Sequence, residues 1–214
     1  METVIVLDYG MSNLRSVAKA LEFVSEGRHT IRVSGSPEDL RRADRVVFPG
    51  QGAIGDCMRH LIEMGLDAAL RDCLTNKPFL GICLGLQSLM ERSQEGGGTA
   101  GLGLYAGEVV RFPAGLTDPA TGERLKIPHM GWNQVWPTHS HPLWEGIEPG
   151  ARFYFVHSYY VDPAERDLIA ATTDYGVSFT SALGEDNVFA IQFHPEKSQK
   201  AGLRLLANFL QWTP

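Results

Sequence analysis

No apolar run in these 214 residues approaches the ~20 needed to span a bilayer as a helix, so a helical membrane protein is excluded. The opening residues, Met1-Glu2-Thr3, lack a basic region and a small-residue cleavage site, and no secretory signal is expected. Cysteine is scarce: three residues cannot all pair, and a disulfide framework is set aside in favour of a reducing, cytoplasmic setting. Positive charge is short as well. Lys and Arg number 19 against 25 Asp and Glu, a net charge of −6, which argues against a general nucleic-acid binder. There is no internal repeat, no long linker and no block of like charge, so one domain over residues 1–214 is expected. What remains is 43% hydrophobic and 21% charged, the balance of a globular protein with a full core.

The first half alternates strand and helix patterns. Thr3–Leu7, Thr30–Val33, Arg45–Phe48 and Phe79–Ile82 read as strands. Leu14–Val24 carries an apolar helical face, and Ser36-Pro37 looks like an N-cap followed by the first helical residue. Helical periodicity runs from Ile54 to Leu74, with Gly65 a candidate break, and resumes from Leu84 to Met90. This alternation implies βαβ units, hence an α/β fold with a mainly parallel central sheet flanked by helices. The second half is different. Ala106–Phe112, Arg152–Val156, Leu168–Thr173, Val177–Ala182 and Val188–Ile191 are short strand patterns, which suit an antiparallel or mixed extension of that sheet. Ala201–Leu210 closes the chain as an amphipathic helix.

Gly81-Ile82-Cys83-Leu84-Gly85 sets a cysteine between a strand and a helix, with a glycine two residues to either side. That is the spacing of a nucleophile elbow with Cys in place of Ser. A helix start behind the sulfur favours a thiolate and aims a backbone N–H at a nearby anion. A buried structural cysteine is the commoner fate of a free thiol, and the pentapeptide alone leaves both readings open. A nucleophilic cysteine needs a base. In Phe193-His194-Pro195-Glu196, Pro195 bends the chain so that Glu196 can reach back to the imidazole. Alone, this would read as a strand-end histidine beside a solvated carboxylate; with the elbow it completes a Cys-His-Glu set.

The elbow (extended to Leu86-Gln87), His194-Pro195-Glu196 and Pro49-Gly50-Gln51-Gly52 together resemble the class I (triad) glutamine amidotransferases. Asp8–Leu14, Pro128–Asn133, Phe153–Tyr159, Tyr175–Phe179 and Gln192–Gln199 are similar to one branch of that family, the glutaminase subunits of imidazole glycerol phosphate synthase. The resemblance spans residues 3 to about 210. It implies a three-layer, flavodoxin-like fold and a glutaminase with Cys83 as nucleophile, His194 as proton shuttle and Glu196 orienting it. It also implies an oxyanion hole from the Gly52 and Leu84 backbone N–H groups, and glutamine contacts from Gln87, His157, Ser158 and Tyr159. The implied partner is a (β/α)₈ cyclase subunit, in a heterodimer for histidine biosynthesis, to which ammonia is channelled. Asn13, Gln51, Trp132, Tyr154 and Lys197 would lie at the interface or couple it to the site. Members of the family often carry an aliphatic residue where this chain has Gln51. No cofactor is implied.

Other features read plainly. His139-Ser140-His141 lacks further ligands at metal spacing and reads as a surface loop, so no metal is expected. Cys57 and Cys73 read as helix packing residues, and Glu95-Gly96-Gly97-Gly98-Thr99 as a flexible surface loop without the Lys-Ser/Thr of a phosphate loop. Trp132 and Tyr154, without the family, would be core residues. Two rivals stand beside the main reading: an amidotransferase serving another synthase, such as one acting on chorismate, and a non-enzymatic receiver-like module, suggested by Asp8 at a strand end.

Overall fold

The computed structural model describes residues 1–10 and 14–214. The apolar run at the start forms β1 (Glu2–Leu7). Parallel to it lie β2 (His29–Ser34) on one side and β3 (Arg45–Gly50) on the other, and β4 (Phe79–Cys83) extends the sheet beyond β3. Helices make the crossovers: α1 (Leu14–Ser25), α2 (Pro37–Arg42), α3 (Ile54–Glu63) and α4 (Asp67–Asn76). The Ser36 side chain accepts from the Asp39 N–H and Pro37 opens α2, as the sequence suggested. Gly65, at φ +64°, lies between α3 and α4, where the break was expected.

After β4 the expected helix over Leu84–Met90 is cut to one turn, α5 (Leu84–Gln87). The Ser88 and Leu89 carbonyls are captured by the Leu102, Leu104 and Tyr105 N–H groups, so the chain turns into β5 (Met90–Ser93) instead of continuing as helix. A 3₁₀ turn over Glu95–Gly97 leads into β6 (Thr99–Ala100).

Then come β7 (Tyr105–Arg111), β8 (His129–Gln134), β9 (Trp136–Pro137), β10 (Arg152–His157), β11 (Tyr159–Pro163), β12 (Ile169–Asp174), β13 (Ser178–Glu185) and β14 (Val188–Ile191). The main sheet runs β2-β1-β3-β4-β14-β13-β11-β7-β5-β6, with β12 also pairing β13 and β9 pairing β12. It is parallel from β2 to β14, and antiparallel pairing begins at β13. The sequence reading put every later strand in this extension. Instead, β8 and β10 form a separate antiparallel pair. Phe153 and Phe155 on its inner face are fully buried, whereas Met130 and Trp132 face outward. The β8 strand has no strand signature of its own, because His129-Met130-Gly131-Trp132-Asn133 mixes polar and apolar residues without a strand composition.

The strand pleat divides the core. Val4 and Val6 join an apolar cluster with α1 and α6 (Gln199–Gln211), while Ile5 and Leu7 join another with α3 and α4. Among the described residues no helix is long and apolar enough to cross a membrane.

One packing constraint ties α6 to the turn that follows β14. A Cβ on Gly202 would collide with the Pro195 carbonyl and come within 2.8 Å of the Ser198 Cβ. Gly202→Ala should therefore cost about 1–3 kcal/mol of stability, read as a lower urea midpoint at unchanged slope. An unchanged midpoint would mean that α6 is not seated this closely.

Candidate active site

Sheet register puts the chemistry in one place. Gly50 of β3 pairs with Cys83 of β4, and Ile191 of β14 pairs with Ile82. The Gly50–Gly52 turn, Cys83 and the 192–194 segment therefore leave the sheet side by side, at the carboxyl ends of the parallel strands.

Cys83 is the last residue of β4 and the cap of α5, with φ 56° and ψ −105°. Such a backbone costs a non-glycine residue about 1–3 kcal/mol and persists only where its surroundings enforce it. Here β4 is paired on both sides. Gly85 lies so close to the next strand that a Cβ would collide with the Phe48 carbonyl, and a Cβ on Gly81 would meet the Gly85 carbonyl oxygen at 3.0 Å. The two flanking glycines thus permit the close packing that the elbow spacing implied.

His194 follows β14. Its N–H donates to the Tyr154 carbonyl at 2.9 Å, and its own carbonyl accepts from the Ser198 hydroxyl at 2.6 Å. Pro195 opens a single 3₁₀ turn over Pro195–Lys197, which swings Glu196 back beneath the ring. Nδ1 of His194 donates to Glu196 Oε1 at 3.0 Å, with the two side chains 5% and 1% exposed. Nε2 is left as the nitrogen for chemistry. It is buried without a hydrogen-bond partner among the described residues. Burial pulls the imidazole pKa down, but the Cys83 sulfur and the Glu196 carboxylate outweigh it and raise the ring to about 10. At neutral pH the imidazole is thus the proton-donating form.

Cys83 and His194 line a cavity of about 520 Å³, with Gly52, Gln51 and Leu84 at one side and Val156–Tyr159 at another. This falls in the range of small-molecule sites. Gly52 has φ +93°, open to glycine and strained for other residues. Leu84 is the first residue of α5, where a backbone N–H has no partner inside the helix. Gln87 is buried in the pocket wall, its amide donating to the Tyr159 carbonyl and to Gln192 Oε1, both at 3.0 Å. The His157 ring is fully engaged on the protein side, with Nδ1 on the Tyr159 carbonyl at 2.8 Å and Nε2 on His129 Nδ1 at 3.0 Å. Sequence reasoning missed Glu95. It lines the cavity half-buried, and its Oε2 accepts from the Ile54 N–H at the start of α3. A lone carboxylate before three glycines carries no local signature.

Three of the five residues assigned to an interface cluster beside the histidine turn. Trp132 on β8 and Tyr154 on β10 face each other across that pair, their rings edge-on at 6.1 Å, and Lys197 Nζ lies 5.9 Å from the Tyr154 ring centre. Trp132 is 40% exposed and so is not a core residue. Gln51 sits at the cavity rim, and Asn13 lies outside the described residues. His141, expected in a surface loop, instead packs on Phe189 with ring centres 4.4 Å apart, and burial lowers its pKa to about 4.

The raised His194 pKa sets a direction for pH dependence. An unfolded imidazole titrates near ~6.5. The stabilisation from the ring's partners is complete below that value and is lost as pH rises through about 10. Histidine NMR should find His194 protonated through neutrality. Glu196→Gln and Cys83→Ala should each bring its titration down toward neutral. A wild-type ring that titrates below pH 7 would contradict the electrostatic arrangement.

Residues 5–212 match the family described as glutamine amidotransferase class-I. The chain is 55% identical over its full length to the whole of imidazole glycerol phosphate synthase subunit HisH from Aromatoleum aromaticum. It is 56% identical to the same subunit from Methylococcus capsulatus, covering 100% of this chain and 98% of that one. Among solved structures, the glutaminase domain of Trypanosoma brucei CTPS with bound acivicin superposes with a TM-score of 0.68 at 17% identity, covering 100% and 96% of the two chains, a likeness of fold. Sequence, fold and the grouping of Cys83, His194 and Glu196 agree: the chain belongs to the class-I glutamine amidotransferases, in the branch formed by the HisH subunits.

Proposed function

We propose that the chain is the glutaminase subunit of an imidazole glycerol phosphate synthase. The observation that carries the reading is Cys83 and His194 on one cavity, with Glu196 bonded to the histidine behind it, in a chain more than half identical to HisH subunits.

In this reading glutamine enters with its side-chain amide at Cys83. His194 Nε2 holds the proton of the thiol, and the sulfur attacks the amide carbon as the thiolate. The N–H groups of Leu84 and Gly52 hold the oxyanion; losing one such donor typically costs ~10²–10³ in rate. As the C–N bond breaks, His194 returns its proton to the departing ammonia. Water then attacks the thioester with His194 as base, and glutamate leaves as the thiol is restored. Glu196 holds the ring with Nε2 turned to the reaction. Gln87 and the 157–159 segment bound the amino-acid end, and the Glu95 carboxylate supplies a counter-charge for the substrate's ammonium group.

The ammonia is used by a (β/α)₈ cyclase in a heterodimer, which makes imidazole glycerol phosphate and AICAR. Trp132, Tyr154 and Lys197 form the docking face, and an exposed Trp is a suitable anchor. The Gln51–Gly52 peptide acts as the switch, flipping an N–H into the oxyanion site when the partner is loaded with its ligand. The whole chain acts as one amidotransferase domain, in the cytoplasm.

Glutamate release from glutamine tests this directly. The chain alone should be nearly inactive, and activity should rise on adding cyclase together with its nucleotide ligand. Full activity in the isolated chain would remove the switch. No activity in any mixture, with folded protein and reduced Cys83, would reject the glutaminase reading. Cys83→Ala in the complex should abolish synthesis from glutamine and leave synthesis from ammonium salts intact. Loss of both would contradict the division of labour.

A further inference from the structure

Gln192 is fully buried one residue beyond β14, and its Nε2 lies 3.5 Å from Cys83 Sγ. Its orientation is fixed by a chain of groups with no freedom to reverse. The Tyr159 carbonyl can only accept, so Gln87 must present its NH₂ there. The other N–H of that group goes to Gln192, which must therefore offer its oxygen to Gln87. The Gln192 NH₂ is then left facing the sulfur. The Tyr159 carbonyl is anchored in turn by His157 Nδ1, whose Nε2 accepts from His129 Nδ1, while Asn133 donates to His129 Nε2. Burial holds both rings neutral, His157 at about 3 and His129 at about 4, so this donor order stays unchanged at working pH.

We propose that Gln192 takes part in the glutaminase reaction by donating a side-chain hydrogen bond to Cys83 Sγ, which favours the anionic sulfur and aims it into the cavity. The proposal rests on the glutaminase reading of the site. A donor at this point assists twice. It stabilises the thiolate that attacks the amide, and it stabilises the same thiolate when it leaves the thioester. A hydrogen bond strengthens when its acceptor becomes charged, so it counts most when the sulfur is anionic.

Gln192→Glu keeps side-chain length and an oxygen for Gln87 while replacing the donor to sulfur. Gln192→Met keeps the bulk and removes both bonds. In the complex with cyclase and ligand, each should lower kcat for glutamate release by about 10- to 100-fold, the worth of a hydrogen bond to a charged group, with KM little changed. Iodoacetamide labelling of Cys83, located by peptide mass spectrometry, gives a readout independent of glutamine. The pH of half-maximal labelling should move up in both variants, further in Gln192→Glu. A merely structural role would lower the thermal midpoint and leave that pH unchanged, which would overturn the proposal. If both variants fail to fold, the side-chain amide protons of Gln192 in the wild-type complex are followed by NMR across pH. They should shift with the Cys83 titration and lose that response in Cys83→Ala; indifference to Cys83 would again overturn the assignment. If the wild type releases no glutamate, the glutaminase reading fails while the labelling result still reports on the Gln192–Cys83 contact.

Discussion

A left-handed backbone at Cys83, φ 56°, has to be enforced by neighbours, because an L-residue gives up energy to adopt it. The enforcement comes from the centre of the sheet. Strand β4 is gripped by β3 and β14, α5 starts at once, and the missing side chain of Gly85 lets this turn lie against the Phe48 carbonyl. Relaxing the turn would mean unpairing the most buried strands of the molecule. The same grip fixes the neighbours. The β3 end delivers Gly50–Gly52, and the β14 end delivers Gln192 and His194, at heights set by backbone pairing rather than by side-chain choice.

Buried histidines in this protein behave in opposite ways, and their partners explain it. His194 is raised to about 10 although burial opposes its charge, because a carboxylate and a sulfur lie against it. His129 and His157, equally removed from water, bond among the described residues to each other, a carbonyl and an amide, and burial lowers them to about 4 and about 3. One residue type thus supplies a proton carrier at one side of the cavity wall and a proton-neutral spacer at the other.

Much of this was legible in the sequence. The strand–helix alternation of the first half needed only periodicity, and the break at Gly65 and the cap at Ser36 needed only local chemistry. The spacing of Cys83 and the bend at Pro195 were enough to expect Cys83, His194 and Glu196 in one group, since a carboxylate can reach back across one turn. What was not legible depended on tertiary pairing. The single turn of α5 follows from carbonyls captured by residues 102–105, and the separation of β8 and β10 from the main sheet leaves no trace in composition. Glu95 enters the cavity only because its loop is tied to the start of α3, over 40 residues earlier in the chain. Amide orientation at Gln192 is a property of a network, and no window of sequence contains it.

The attachment of β10 to the histidine turn is made of main chain at its core. Tyr154 receives the His194 N–H on its carbonyl and gives its own N–H to the Ser198 hydroxyl, which in turn caps the His194 carbonyl. Neither Tyr154 bond uses the tyrosine ring. Evolution can therefore redesign the outward surface at position 154 without loosening the seam, since every residue but proline keeps both backbone groups. The strand and the imidazole stay one mechanical unit through such drift, and the one exchangeable part is the Ser198 hydroxyl.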